Sequence, residues 1–233
     1  AVRKPQGLSE DLERAVRGGA LQLARADLGQ PAALAAAVRG ARVVLHLATG
    51  GGATWEELER AMVQGTRALA EACLEARVER FVYVSSIAAL YLGPDCGAGV
   101  IDDADRTDPK PELRALYARG KIAAERELVR LAKERGLPLT IVRPGVVLGA
   151  DAPFQHSGLG LWVRDNHCVG WGRGERPLPL VLVEDVADAL ARVAAHSGRE
   201  LEGKALNLAA RVPLSAQELV AHFARVSGRD VHF

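Results

Sequence analysis

Three short runs, ARVVLHLA at 41–48, RFVYVSS at 80–86 and LPLTIVRPG at 137–145, are apolar nearly throughout, and long helical patterns separate them. A strand with no polar alternation is covered on both faces, and strands joined through helices run parallel. The expected fold class is α/β with a doubly wound parallel sheet.

The rest of the chain fits around that frame. ALQLARADL (20–28) reads as another strand, and PAALAAAVRG (31–40) as a helix with Pro at its first turn and Gly at its end. TWEELERAMVQGTRALAEACLEA (54–76) is a long helix, and a second runs from about Pro111 to Arg135 after a polar loop at 92–111. Past residue 145 the rhythm changes. FQHSGLGLWVRDNHCVGWGRGERP (154–177) has little periodicity and reads as a lid or substrate-facing segment. LPLVLV (178–183), the helix EDVADALARVAAH (184–196), KALNLA (204–209) and a helix after Ser215 complete a smaller lobe, with Ser215 and Glu218 spaced as a capping box. The expected division is a doubly wound α/β domain over 1–150 and a substrate-facing lobe over 151–233, partly interleaved.

Composition narrows the function classes. The chain is 48% hydrophobic and 25% charged with a net charge of +1, which suits a globular core and leaves no basic footprint for nucleic acid or an anionic membrane. No apolar run approaches the ~18 residues that span a bilayer. Cys73, Cys96 and Cys168 lack C-x-x-C spacing, so a reducing cytoplasm is the expected location. His156 and His167 with Cys168 match no zinc pattern, and no metal is expected. The expected partner is a small molecule. Trp162 and Trp171 are read as pocket-lining or as packing for the smaller lobe, and Asp185 and Glu184 as early-helix residues that complement the dipole.

LYARGK (116–121) places Tyr117 and Lys121 four residues apart on one helix face. A neighbouring cation stabilises a phenolate and lowers a pKa that is ordinarily ~10. Such a tyrosine can exchange a proton with a carbonyl or hydroxyl oxygen during hydride transfer. The same spacing also describes an ordinary surface pair. What distinguishes it is RFVYVSS upstream, a strand whose end delivers Ser85 and Ser86 to the carboxyl edge of the sheet, where open α/β sheets bind ligands.

With RADL (Asp27), VVLHLA (43–48), VQGTRALAEAC (63–73), FVYVSS (81–86), Tyr117 and Lys121, RPG (143–145) and VEDVADAL (183–190) in this order, the chain resembles the extended short-chain dehydrogenase/reductase superfamily, in its NAD-dependent epimerase/dehydratase branch. The resemblance implies a Rossmann-like fold with Tyr117 as general acid/base. Lys121 would bind the nicotinamide ribose and depress the tyrosine pKa, and Ser86, or Ser85 one register away, would hold the substrate oxygen. It further implies that Asp27 and Leu28 contact the adenine, that Leu47 and Ala48 line the cofactor cleft, and that Pro144 borders the nicotinamide. A homodimer through helices 54–76 and 111–135 is the implied assembly.

Several positions depart from that pattern. No G-x-x-G-x-x-G turn occurs, and GGG at 50–52 and GLG at 158–160 do not join a first strand to a helix. If Val2 and Arg3 end the second strand, a first strand and helix of roughly 30 residues are missing, either by truncation or with an incomplete cofactor site. Met62 stands where the family usually has asparagine, RPG replaces an asparagine-containing segment of sugar-nucleotide epimerases, and 176–185 lacks their arginine–aspartate pair. Arg3 and Lys4 at the end of that second strand would accommodate a 2′-phosphate, so NADP is the expected cofactor, with NAD the alternative. The expected function is an oxidoreductase acting between a secondary alcohol and a ketone, with an epimerase or dehydratase using the same oxidation transiently, or a non-catalytic dinucleotide binder, as the alternatives.

Overall fold

A computed structural model describes residues 8–91, 106–150, 154–155, 158–164, 166–170 and 173–233. The calls on Arg3, Lys4, Cys96, His156 and Trp171, and most of the polar loop from 92, lie outside the described residues. Two compact units make up the chain. One comprises Ala1–Val142 and Val193–Leu206, and the other Arg143–Arg192 and Asn207–Phe233.

The first unit is built on a sheet of β1 (Val43–His46), β2 (Arg80–Val84), β3 (Leu139–Pro144) and β8 (Ala205–Leu208), in that spatial order. β1 pairs parallel to β2 and β2 to β3, with His46 beside Tyr83 and Val84 beside Val142. All three strands therefore end at one edge. Side chains alternate across the sheet. Phe81, Tyr83, Leu139 and Ile141 face a core shared with Leu34 and Val38 of α2 (Pro31–Val38), Leu69 and Cys73 of α4 (Gly65–Glu75), and Leu128 and Leu131 of α5 (Leu116–Arg135). Val82, Thr140 and Val142 point the other way and are equally buried. There Arg80 donates to the carbonyls of Val193, His196 and Gly198, tying the end of α6 (Val183–Ala195) to the sheet.

The long helix expected over 54–76 forms in three pieces. Thr54 caps α3 (Trp55–Leu58) by accepting from the Glu57 N–H, a π-helical stretch follows over Glu59–Gln64, and α4 completes the run. The wide turn brings Met62 inward, where it is buried next to Gly120 of α5. An apolar thioether is the side chain that this contact accommodates.

Several expectations need correction. Segment 20–28 is not a strand: it carries a single bridged residue, Arg25, between a bend at 20–21 and a turn at 28–29, because a strand requires a run of ladder bonds that apolar content alone does not supply. β1 is not buried on both faces, since it lies at the edge of the described sheet with Leu45 and, beyond it, Leu47 open to solvent. The helix expected from Pro111 starts later. Pro111–Leu113 make one 3-10 turn, and α5 begins at Leu116 and ends where Gly136 takes a left-handed conformation.

The second unit has a parallel pair, β4 (Val146–Leu148) with β7 (Leu180–Leu182), and an antiparallel hairpin of β5 (Gly160–Val163) and β6 (His167–Gly170). That hairpin corrects the aperiodic reading of 154–177: Trp162 pairs opposite Cys168, and the alternation is too short to show in a glycine-rich stretch. Ser215 and Glu218 form the expected capping box on α7 (Ala216–Ser227). Phe223 of that helix stacks on Phe154 at 3.7 Å, and Phe154 meets Trp162 edge-on. α1 (Glu10–Arg17) carries no buried residue.

Candidate active site

The chemistry gathers where β2 runs out. Ser85 continues the ladder, its N–H donating to the Val142 carbonyl at 2.7 Å, and its buried Oγ has no hydrogen-bond partner. Ser86 turns the chain: extended at φ −160°, it caps the 3-10 turn Ile87–Ala89 by accepting from the Ala88 N–H. Its hydroxyl also draws the Tyr117 pKa down, against the effect of burial.

Tyr117 sits in the first turn of α5, partly exposed, and Lys121 one turn further in, 3% exposed. The Lys121 Nζ donates to the Val84 carbonyl at 2.8 Å and lies 5.0 Å from the Tyr83 ring centroid and 5.8 Å from that of Tyr117. The electrostatics differ from the sequence expectation. Burial pushes the Tyr117 hydroxyl above its ordinary range, and the opposing influence is the Ser86 side chain, with the ammonium donating to Val84. Lys121 is itself pushed down to about 8 by burial, against the charge of Glu125.

Two participants escaped the sequence reading. His46, the last residue of β1, is buried with its Nε2 2.8 Å from Thr66 Oγ1 and its ring tilted against Tyr83. Burial, assisted by the positive charge of Lys121, pushes it down to about 4, so it is neutral at pH 7. Glu125 is buried one turn beyond Lys121. Its i+4 spacing was the available signal; nothing local indicated His46.

The other predicted positions are more dispersed. Asp27 Oδ1 accepts from the Gly29 N–H at 2.9 Å, and Leu28 packs against the core beside Gly65. Leu47 and Ala48 are exposed just past β1. Pro144 is the buried last residue of β3. His167 Nδ1 lies 2.8 Å from Asn166 Oδ1, Cys168 is buried, and no cluster of three metal-ligating side chains occurs among the described residues.

Residues 3–209 match the model of the NAD dependent epimerase/dehydratase family. The chain belongs to that family. Cinnamoyl-CoA reductase 1 of Arabidopsis thaliana is 33% identical over 64% of this chain and 44% of the relative, and cinnamoyl-CoA reductase 1 of Oryza sativa subsp. japonica is 30% identical over 80% and 55%. The chain spans about half the length of these curated relatives. Among solved structures, MoeE5 in complex with UDP-glucose and NAD superposes with a TM-score of 0.70 at 28% identity, covering 89% of this chain and 70% of that one. The dTDP-glucose 4,6-dehydratase DesIV of Streptomyces venezuelae, bound to NAD, superposes with a TM-score of 0.75 over 96% of this chain and 69% of its own at 20% identity, a likeness of fold. The epimerase/dehydratase fold thus accounts for the parallel sheet.

The residues at this edge fit the nicotinamide end of such a cofactor. An ammonium has three donors, of which Val84 takes one, and the buried Ser85 hydroxyl stands unpartnered beside it in sequence.

Proposed function

We propose that the protein is an NAD(P)-dependent oxidoreductase that interconverts a secondary alcohol and a ketone on a small molecule. The observation that carries this reading is Lys121, buried one turn from Tyr117 on α5 and donating to the Val84 carbonyl just before Ser85 and Ser86. The bound nucleotide would accept or supply the hydride. Ser86 and Tyr117 would hold the substrate oxygen between two hydroxyls, and Tyr117 would give its phenolic proton to that oxygen on reduction or take it back on oxidation. A protonated tyrosine, favoured by burial, suits the reducing direction. Lys121 would present its remaining N–H groups to the ribose hydroxyls while anchored to Val84.

NADP is the proposed cofactor, on the strength of Arg3 and Lys4, within a family defined by NAD. A homodimer through the outer faces of α4 and α5 belongs to the same proposal. The ion pairs Arg67–Glu127 and Arg135–Glu71 join those helices into one surface, and sedimentation velocity tests the assembly. The second reading, an epimerase or dehydratase, is favoured by the likeness to MoeE5 bound to UDP-glucose and NAD.

The test is fluorescence titration of NADPH and NADH, followed by product analysis with carbonyl substrates. Binding with net oxidation of the nucleotide supports the reductase, and turnover without net consumption supports the second reading. Absence of binding to either nucleotide overturns both.

A further inference from the structure

A lysine that must remain a cation is an unfavourable thing to bury. The Lys121 side chain is 3% exposed, so nearly all of its hydration is lost, and a buried ammonium deprotonates unless its surroundings replace that water. Four neighbours on three elements face it. From β2 come the Val84 carbonyl at 2.8 Å and the Tyr83 ring at 5.0 Å. On its own helix Tyr117 presents a ring at 5.8 Å, and from β1 the buried His46 is close enough for the two charges to interact. None of these carries a negative charge at neutral pH: burial keeps Tyr83 and Tyr117 protonated and His46 neutral.

The negative charge comes from Glu125. It follows Lys121 by four residues on α5, is 2% exposed, and acts electrostatically on both Lys121 and Tyr83. Residues at i and i+4 lie on one helix face with Cβ atoms about 5–6 Å apart. A carboxylate buried at that position faces the same core as the lysine, an expensive placement unless a buried positive charge offsets it.

Resting on the oxidoreductase reading above, we propose that Glu125 is a positioning residue whose buried carboxylate holds Lys121 in its charged form, so that the alkaline limit of cofactor binding and turnover is set by the Glu125–Lys121 pair. Below that limit the ammonium is present to donate to Val84 and to the ribose. Above it the amine is neutral and the anchoring weakens. His46, being neutral, adds no competing cation in this window.

The chain has five lysines, Lys4, Lys110, Lys121, Lys133 and Lys204, which makes direct observation practical. The chain labelled with ¹³C,¹⁵N-lysine is titrated by NMR without nucleotide, and the Lys121 signal is assigned by its loss in Lys121→Arg. The expected wild-type midpoint is near 8. In Glu125→Gln it falls by about one pH unit, and in Glu125→Asp, which keeps the charge, by less. The high-pH limb of NADPH affinity moves in parallel in each variant. A folded Glu125→Gln protein with an unchanged Lys121 midpoint overturns the proposal. If Glu125→Gln does not fold, Glu125→Asp decides, and a midpoint shift without a matching shift in the NADPH limb overturns it as well. Because the lysine titration requires neither nucleotide nor turnover, an inactive wild-type protein would remove the oxidoreductase reading and leave the Glu125–Lys121 result standing.

Discussion

Lys121 reaches from the second turn of α5 to the end of β2, where its Nζ donates to the Val84 carbonyl at 2.8 Å. That bond locks the helix to the strand immediately before Ser85 and Ser86. It also holds Tyr117, one turn back, on the helix face that meets this strand end. The lysine is therefore as much a fixture of the site's geometry as a donor within it.

Tyr117→Phe removes only the hydroxyl. Turnover is expected to fall by about 10²–10⁴-fold, the usual contribution of a positioned acid/base, while NADPH affinity stays near wild type. The check is kcat beside a nucleotide titration. Full activity in this variant would remove Tyr117 from the mechanism.

Ser86→Ala deletes the one interaction that pulls the Tyr117 hydroxyl down against its burial. In the direction of alcohol oxidation, where the tyrosine must be ionised, the rising limb of the pH–rate profile is expected to move to higher pH. Measured kcat/KM across pH 6 to 10 decides it, and a limb that stays in place would assign the ionisation elsewhere.

His46 makes stability depend on pH. Its value falls from 6.5 to about 4 on folding, so the unfolded chain binds the proton more tightly and stability is full above pH 6.5. Stability is lost as the pH drops through that window and levels off below about 4. Between pH 7 and 5 the contribution is about 2 kcal/mol. Urea denaturation at both pH values should show this loss in the wild type and a correspondingly smaller one in His46→Gln.

Gly50 lies in the turn after β1, where an added Cβ would come within 2.6 Å of the Ala61 carbonyl carbon and 2.8 Å of the Met62 nitrogen. These are backbone atoms of the π-helical stretch and have no easy way to yield. Gly50→Ala is expected to cost about 1–3 kcal/mol and to weaken NADPH binding by displacing Leu47 and Ala48. Thermal melting and nucleotide titration measure the two effects. An unchanged affinity in a destabilised variant would detach that turn from the cofactor site.

Much of this was legible in one dimension. The apolar runs ending at Val84 and Pro144 announced parallel strands, Ser215 and Glu218 announced a capped helix, and Tyr117 with Lys121 announced a shared helix face. The failures are equally specific. Segment 20–28 has a strand's composition with one bridged residue, and β1 has a buried strand's composition at a sheet edge, because composition does not encode which neighbour pairs with a strand. The hairpin of β5 and β6 hid among glycines. Its pairing depends on two short segments meeting, not on either one's pattern.

The sequence by itself determined the parallel strands ending at His46, Val84 and Pro144, the strand end that leads into Ser86, and the spacing of Tyr117 to Lys121, because hydrophobic period and i,i+4 geometry are local properties. Only the tertiary structure decided that burial raises the Tyr117 phenol while Ser86 opposes it, and that the charges of His46 and Glu125 act together with that of Lys121. Desolvation and charge act through space, so the state of an ionisable group is fixed by residues that the chain brings together on folding.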